Sequence, residues 1–420
     1  MQPVMPEYHE VLPNGTRVHL LPRMNFHQTV AMLSVDFGAR DRDVTIDGTT
    51  MHLHGGLAHF IEHKIFAQKD YDAFVRLSEL GANANAFTTQ TRTSYFLSAA
   101  GDALPAIQEL LTFTQEPYFE HDAVLREADI IGQEIDMYDD DPNSRLYRLI
   151  LANLFRGDAL AEDIAGTDES VHAITVEELQ LAYQAVYQPE NTDIVIAGNF
   201  DLTAIRELIR NSPAGQRSQT GAVSYGEHQL LPVDPQPVEV EMAIVRNKVA
   251  FGQRWYEGVE LPEGRAALRV AVAISLAFDL VFSEHSDQYM LWYDDGLIDD
   301  SFFAEFDWER GAAYLTIAAE TAEPEVLTNE ITAVLKKLPE QFELLMDRFT
   351  YVHRDAIGRL ISKFDQLEDL VTRFDGGLFD NATLKDELDI LLQLDAEQVL
   401  ALISEIPVSE IATVVVRPKL

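Results

Sequence analysis

The chain has 420 residues, no cysteine and a formal net charge of −39. Disulfides and thiolate metal sites are excluded, so any metal must be held by His, Asp and Glu. A field of that sign repels nucleic-acid phosphates and anionic lipid, which speaks against both as partners, and it attracts basic peptides.

At 47% hydrophobic, the sequence can fill more than one core, and its length fits two domains. No apolar run is long enough to cross a membrane, and the opening residues lack the basic and apolar regions of a signal peptide. The cytoplasm is the expected compartment.

In chain order, Asn14-Gly15 between two β-like runs reads as a hairpin, and residues 29–39 read as a strand. Helices are predicted at about 57–68 and 71–81, a strand at 91–100, and helices at 102–116, 120–139, 143–155 and 175–187. A strand at 193–200 and a helix at 202–211 close the first half. Residues 212–237 are rich in Pro, Gly, Ser and Gln with little periodicity, and read as a linker. The second half repeats the outline: strands, a long apolar helix, a strand at "AAYLTIAAET", helices over 323–374 and a last strand at 411–418. The predicted fold is α+β, with domains at 1–211 and 238–420. Each is an antiparallel sheet with helices on one face.

The chemistry concentrates in "GGLAHFIEHKIF", residues 55–66. On a helix, His59, Glu62 and His63 share a face. Two imidazoles at that spacing can hold one zinc ion, and the carboxylate between them can take a proton from an activated water. A third ligand is needed. Glu127 and Glu134 lie two helical turns apart on the predicted helix 120–139, so both can face the metal. One would ligate while the other orients a ligand. Elsewhere the bland readings prevail. His52 and His54 lie just outside the helix and read as solvated or turn-packed. Residues 139–141, "DDD", lack the glycine and closing glutamate of a calcium loop and read as a solvated helix end.

His-x-x-Glu-His, with Glu134 placed 71 residues after His63 and Glu127 seven before Glu134, resembles the inverted zinc motif of the pitrilysin family. That family includes insulin-degrading enzyme and the mitochondrial processing peptidases. "GANANAFTTQTRTSYF" resembles the strand beside its zinc. "HFIEHKIF", "GQEIDMYDDDP" and "DGLIDDSF" are most similar to bacterial half-size members of the YmfH type. The resemblance implies zinc ligands His59, His63 and Glu134, Glu62 as general base and Glu127 behind the ligands. It also implies that the strand of Asn85, Ala86, Phe87 and Thr88 pairs with substrate backbone.

One departure stands out. Active family members carry an Arg and a Tyr, seven residues apart, that hold the substrate carbonyl and steady the oxyanion. In "WYDDGLID" those places hold Trp292 and Asp299. The expectation is a zinc endopeptidase acting on peptides or unfolded segments as half of a heterodimer, whose related subunit supplies Arg and Tyr. A homodimer, or an assembly subunit that keeps its zinc site without catalysis, is the alternative.

Overall fold

The computed structural model describes residues 6–226, 228 and 230–419. It divides into two compact units. The first comprises Met1–Asp136, Asp163–Glu227 and Lys363–Gly377; the second comprises Met137–Glu162, His228–Ser362 and Leu378–Leu420. Each unit thus contains one segment from the far side of the predicted linker.

The first unit holds β1 (Tyr8–Val11), β2 (Arg17–Pro22), β3 (Gln28–Val35), β4 (Asp43–Ile46), β5 (Thr49–His52), β6 (Ala82–Thr88), β7 (Thr93–Ala100), β8 (Thr192–Gly198) and β9 (Val223–Tyr225). Its main sheet has the order β1-β2-β8-β3-β7-β6. Neighbours are antiparallel except for the parallel pair β2–β8. The second unit holds β10 (Val238–Met242), β11 (Asn247–Trp255), β12 (Phe303–Glu309), β13 (Ala312–Thr321) and β14 (Ala412–Pro418). Its order is β10-β14-β11-β13-β12, again with one parallel pair, β10–β14. From β2 onward the first order maps onto the second strand for strand. This is the duplication that the sequence outline suggested.

The α+β class holds, and both faces of each of the two main sheets carry helical cover, where one face was expected. β8 is buried at every position, a pattern that requires cover on both sides. In the first unit one face, with Val18, Leu20, Leu33 and Ile196, joins the main core under the helices. The opposite face carries His19, Met32 and Val195, which share a side by register. The segment 363–377 lies over it: Phe374 packs on His19 at 4.4 Å between ring centroids. In the second unit the helix Pro142–Leu154 places Leu146, Ile150 and Leu154 on Ala250, Tyr314 and Val414. The helix Gly264–Val281 takes the other face, where Phe278 meets Trp255.

Two short features fall where no element was expected. Asp47 and Gly48, both at positive φ, turn β4 back on β5. β9, inside the predicted linker, pairs with β4 to complete a three-stranded sheet. Among the described residues no helix is long and apolar enough to cross a membrane.

Candidate metal centre

The helix Leu57–Ile65 begins after Gly56, whose φ of 87° is left-handed. A methyl group at Gly56 would also run into the carbonyl of Ala165. Gly56→Ala is therefore expected to destabilise the fold by at least about 1–3 kcal/mol, read from urea unfolding. Leu57, Ala58, Phe60, Ile61 and Ile65 are buried and seat the helix on β6 and β7. Full burial of each large side chain contributes about 1.5–3 kcal/mol. The remaining face presents His59, Glu62 and His63.

The second element is the helix His121–Asp140, whose buried stripe is Val124, Ala128, Ile131 and Ile135. Glu127 and Glu134 each precede a stripe residue and so flank the core side of the helix. This brings Glu134 Oε2 to 3.9 Å from His59 Nε2 and 3.6 Å from His63 Nε2. One ligand atom from each of His59, His63 and Glu134 lies within 4.8 Å of the others. Among the described residues no other group of His, Asp and Glu meets that spacing.

Glu127 stands behind this trio. Its Oε1 is 3.1 Å from His63 Nδ1, and Lys64 Nζ donates to its Oε2 at 3.4 Å. Burial alone would raise the Glu127 pKa, but His63 and Lys64 outweigh it and hold the carboxyl below its ordinary value. Burial would likewise lower the His63 pKa. The Glu127 hydrogen bond, then the charges of Glu62, Glu127 and Glu134, turn it upward. For His59, burial followed by the neighbouring His63 lowers the pKa to about 4, so at neutral pH it is an uncharged imidazole with a lone pair for a metal. Two imidazoles, a carboxylate and a carboxylate behind one imidazole suit zinc with an open position. Glu134→Gln is expected to weaken zinc binding more than Glu127→Gln, whose loss should be about ten- to a hundredfold in a chelator-buffered titration. The opposite order would exchange their roles.

Glu62 is not one of the three converging residues. Its Oε2 accepts a 2.7 Å hydrogen bond from Thr88 Oγ1 at the end of β6. Burial pushes the Glu62 pKa up, and the Thr88 hydroxyl moderates the rise. A buried carboxylate with raised proton affinity, fixed by one donor, fits a proton acceptor. The orienting role of Thr88 was not read from the sequence, nor was the Lys64–Glu127 contact. Lys64 offered a signal: it is a lysine on the apolar side of the motif helix, and it is buried.

Asn85, Ala86, Phe87 and Thr88 lie on β6, which forms the outer edge of its sheet. His52 and His54 stay apart from the trio and pair with Asp43 and Glu178. Asp141 caps the helix Pro142–Leu154 through the Ser144 amide at 2.8 Å, and Asp139 pairs with Arg145 and Arg148. Trp292 is a core residue of the second unit, 3% exposed, with its Nε1 donating to Glu330. Asp299 accepts from Arg246 and from the Ser301 amide. Neither offers an oxyanion donor.

Comparison with known proteins agrees with this architecture. YmfH of Bacillus subtilis, named as a zinc protease, is 32% identical over 95% of this chain and 93% of its own length. The crystal structure of an M16-like peptidase from Alicyclobacillus acidocaldarius superposes with a TM-score of 0.91 at 28% identity, covering 100% of both chains. A protease from Helicobacter pylori shares the fold, with a TM-score of 0.83 at 18% identity over 99% of this chain and 100% of its own. Residues 51–168 match insulinase, peptidase family M16, and residues 173–350 match the M16 inactive domain. With the His-x-x-Glu-His helix and Glu134 in the first of these regions, the chain belongs to peptidase family M16.

Proposed function

We propose that this chain is a zinc-dependent endopeptidase that hydrolyses peptides or unfolded segments in the cytoplasm, as one half of a heterodimer. The observation that carries the reading is the convergence of His59, His63 and Glu134 with the Thr88-held Glu62 on the same helix face. A zinc ion held by those three side chains would supply a Lewis acid that acidifies water and polarises a peptide carbonyl. Glu62 takes the proton from the attacking water and returns it to the departing amine, so one carboxylate serves as base and then as acid. Glu127 holds His63 in orientation through Nδ1. The open edge of β6 offers main-chain hydrogen bonds to an extended substrate, a mode that makes little demand on its sequence.

What supports the heterodimer reading is what the second unit lacks. A buried tryptophan and an arginine-paired aspartate stand where the family places its Arg and Tyr. The same observation favours a second reading, an assembly subunit that keeps its zinc site without catalysis. A quenched-fluorescence peptide library, incubated with the zinc-loaded chain alone and with a related two-domain subunit carrying Arg and Tyr, separates the two. The heterodimer reading expects little cleavage alone and a large gain on mixing, abolished by Arg→Ala in the partner. Strong cleavage by the chain alone defeats the heterodimer and keeps the peptidase. No cleavage in either case favours the assembly subunit.

A further inference from the structure

The acids of the metal centre come with a buried lysine. Lys64 follows the second histidine of the motif, and helical spacing sets it with Phe60 and Ile61 on the buried side of the helix Leu57–Ile65. It is 4% exposed. A lysine taken that far out of water needs a paired anion. Among the described residues that anion is Glu127, whose Oε2 lies 3.4 Å from Nζ. The other oxygen of the same carboxylate is 3.1 Å from His63 Nδ1. Glu127 is therefore shared. On one side stands a ring whose Nε2 faces Glu134 at 3.6 Å, and on the other a buried ammonium.

This sharing has a direction. A carboxylate on the far nitrogen of a metal-binding imidazole makes that imidazole a stronger donor. Lys64 draws on the same carboxylate and limits the gain. It also sets a positive charge close to a cation site, in partly buried surroundings that salt and water screen poorly. Both effects weaken the hold on a metal ion. In the metal-free chain the effect of the lysine is the reverse. The charges of Glu62, Glu127 and Glu134 all act on His63, and Lys64 offsets part of that crowded negative charge. One lysine and one divalent ion together equal the three carboxylates in charge.

We propose that Lys64 is the resident counter-ion of the metal centre: it holds Glu127 in place when the ion is absent, and it keeps zinc affinity below what the donor set alone would give. A site built this way is formed before its ion arrives. The inference rests on the zinc reading of this centre and assigns Lys64 a positioning role within it.

The test is zinc affinity of the full chain, measured at one neutral pH by competition with a chromophoric chelator. Lys64→Gln keeps a hydrogen-bond donor for Glu127 and removes the charge. It is expected to bind zinc about tenfold more tightly than the parent. Lys64→Arg restores the charge and should stay within about threefold. Lys69→Met, the same loss of charge at an exposed position past the helix end, should stay within about twofold. The metal-free Lys64→Gln chain should melt below the metal-free parent, and added zinc should raise its melting point by more than it raises the parent's. Lys64→Met, which keeps the apolar stem, serves the same comparison where the Gln variant does not fold. A lysine that only clamped Glu127 onto His63 would give the opposite sign, weaker zinc binding on its loss. Weaker or unchanged affinity in the neutral variant, equal tightening in Lys64→Arg or Lys69→Met, or failure of both neutral variants to fold with or without zinc would overturn the role. Folding of the neutral variants only when zinc is present would support it. A parent chain that binds no zinc would remove the metal centre itself, whereas equal affinities in parent and variants would leave the centre standing and remove Lys64 alone.

Discussion

Replacing Glu62 by Gln is expected to leave zinc content at the level of the parent chain and to lower peptide hydrolysis at least about a hundredfold. The carboxylate is not among the converging ligand atoms, so the metal has no reason to leave. Glutamine keeps the size of the side chain and an oxygen for the Thr88 hydroxyl, and it removes the proton acceptor alone. Elemental analysis reads the metal, and cleavage of a quenched peptide in the presence of the partner subunit reads the rate. Hydrolysis at the parent rate would end the proposed mechanism. Loss of zinc would make Glu62 a ligand instead.

A comparably large effect is expected at His63. The change to Ala removes one of two imidazoles and strands Glu127, which is hydrogen-bonded to it. Zinc should fall from about one ion per chain to nearly none after dialysis, since Glu134 and His59 alone make too small a donor set. The parent site should also be pH-sensitive. His63 has a pKa raised above its ordinary value, and a protonated ring cannot ligate, so zinc affinity drops as pH falls through that raised pKa. The weak residual binding of His63→Ala should show less of this drop. Full occupancy in His63→Ala would remove His63 from the site.

Much of this centre was legible because its determinants are local. Spacings of three, four and seven residues fix which side chains share a helix face, and helices formed at Leu57–Ile65 and His121–Asp140 as their patterns predicted. What stayed hidden depends on distant pairing. No local pattern says that Arg17–Pro22 runs parallel to Thr192–Gly198, or that residues 363–377 return to the first unit. Some signals were present and underused. The run from Thr192 to Gly198 has no polar alternation to match a wet face, and every residue in it is buried. Asp47-Gly48 is a hairpin turn by composition, yet its strands are only four residues long, too short for periodicity to register. Thr88 was noted for its strand and proved to hold Glu62, a contact set by how β6 passes the motif helix.

The return of residues 363–377 to the first unit has a consequence for the making of the protein. A ribosome synthesising at about 5–20 residues per second finishes the first half roughly ten to thirty seconds before this cover emerges. Until then His19, Met32 and Val195 line an apolar surface whose own lid has not been translated. The nascent first half is therefore a natural client for a chaperone that shields apolar surface. A stop codon shortly before residue 363 would release a chain that keeps every zinc ligand and still aggregates.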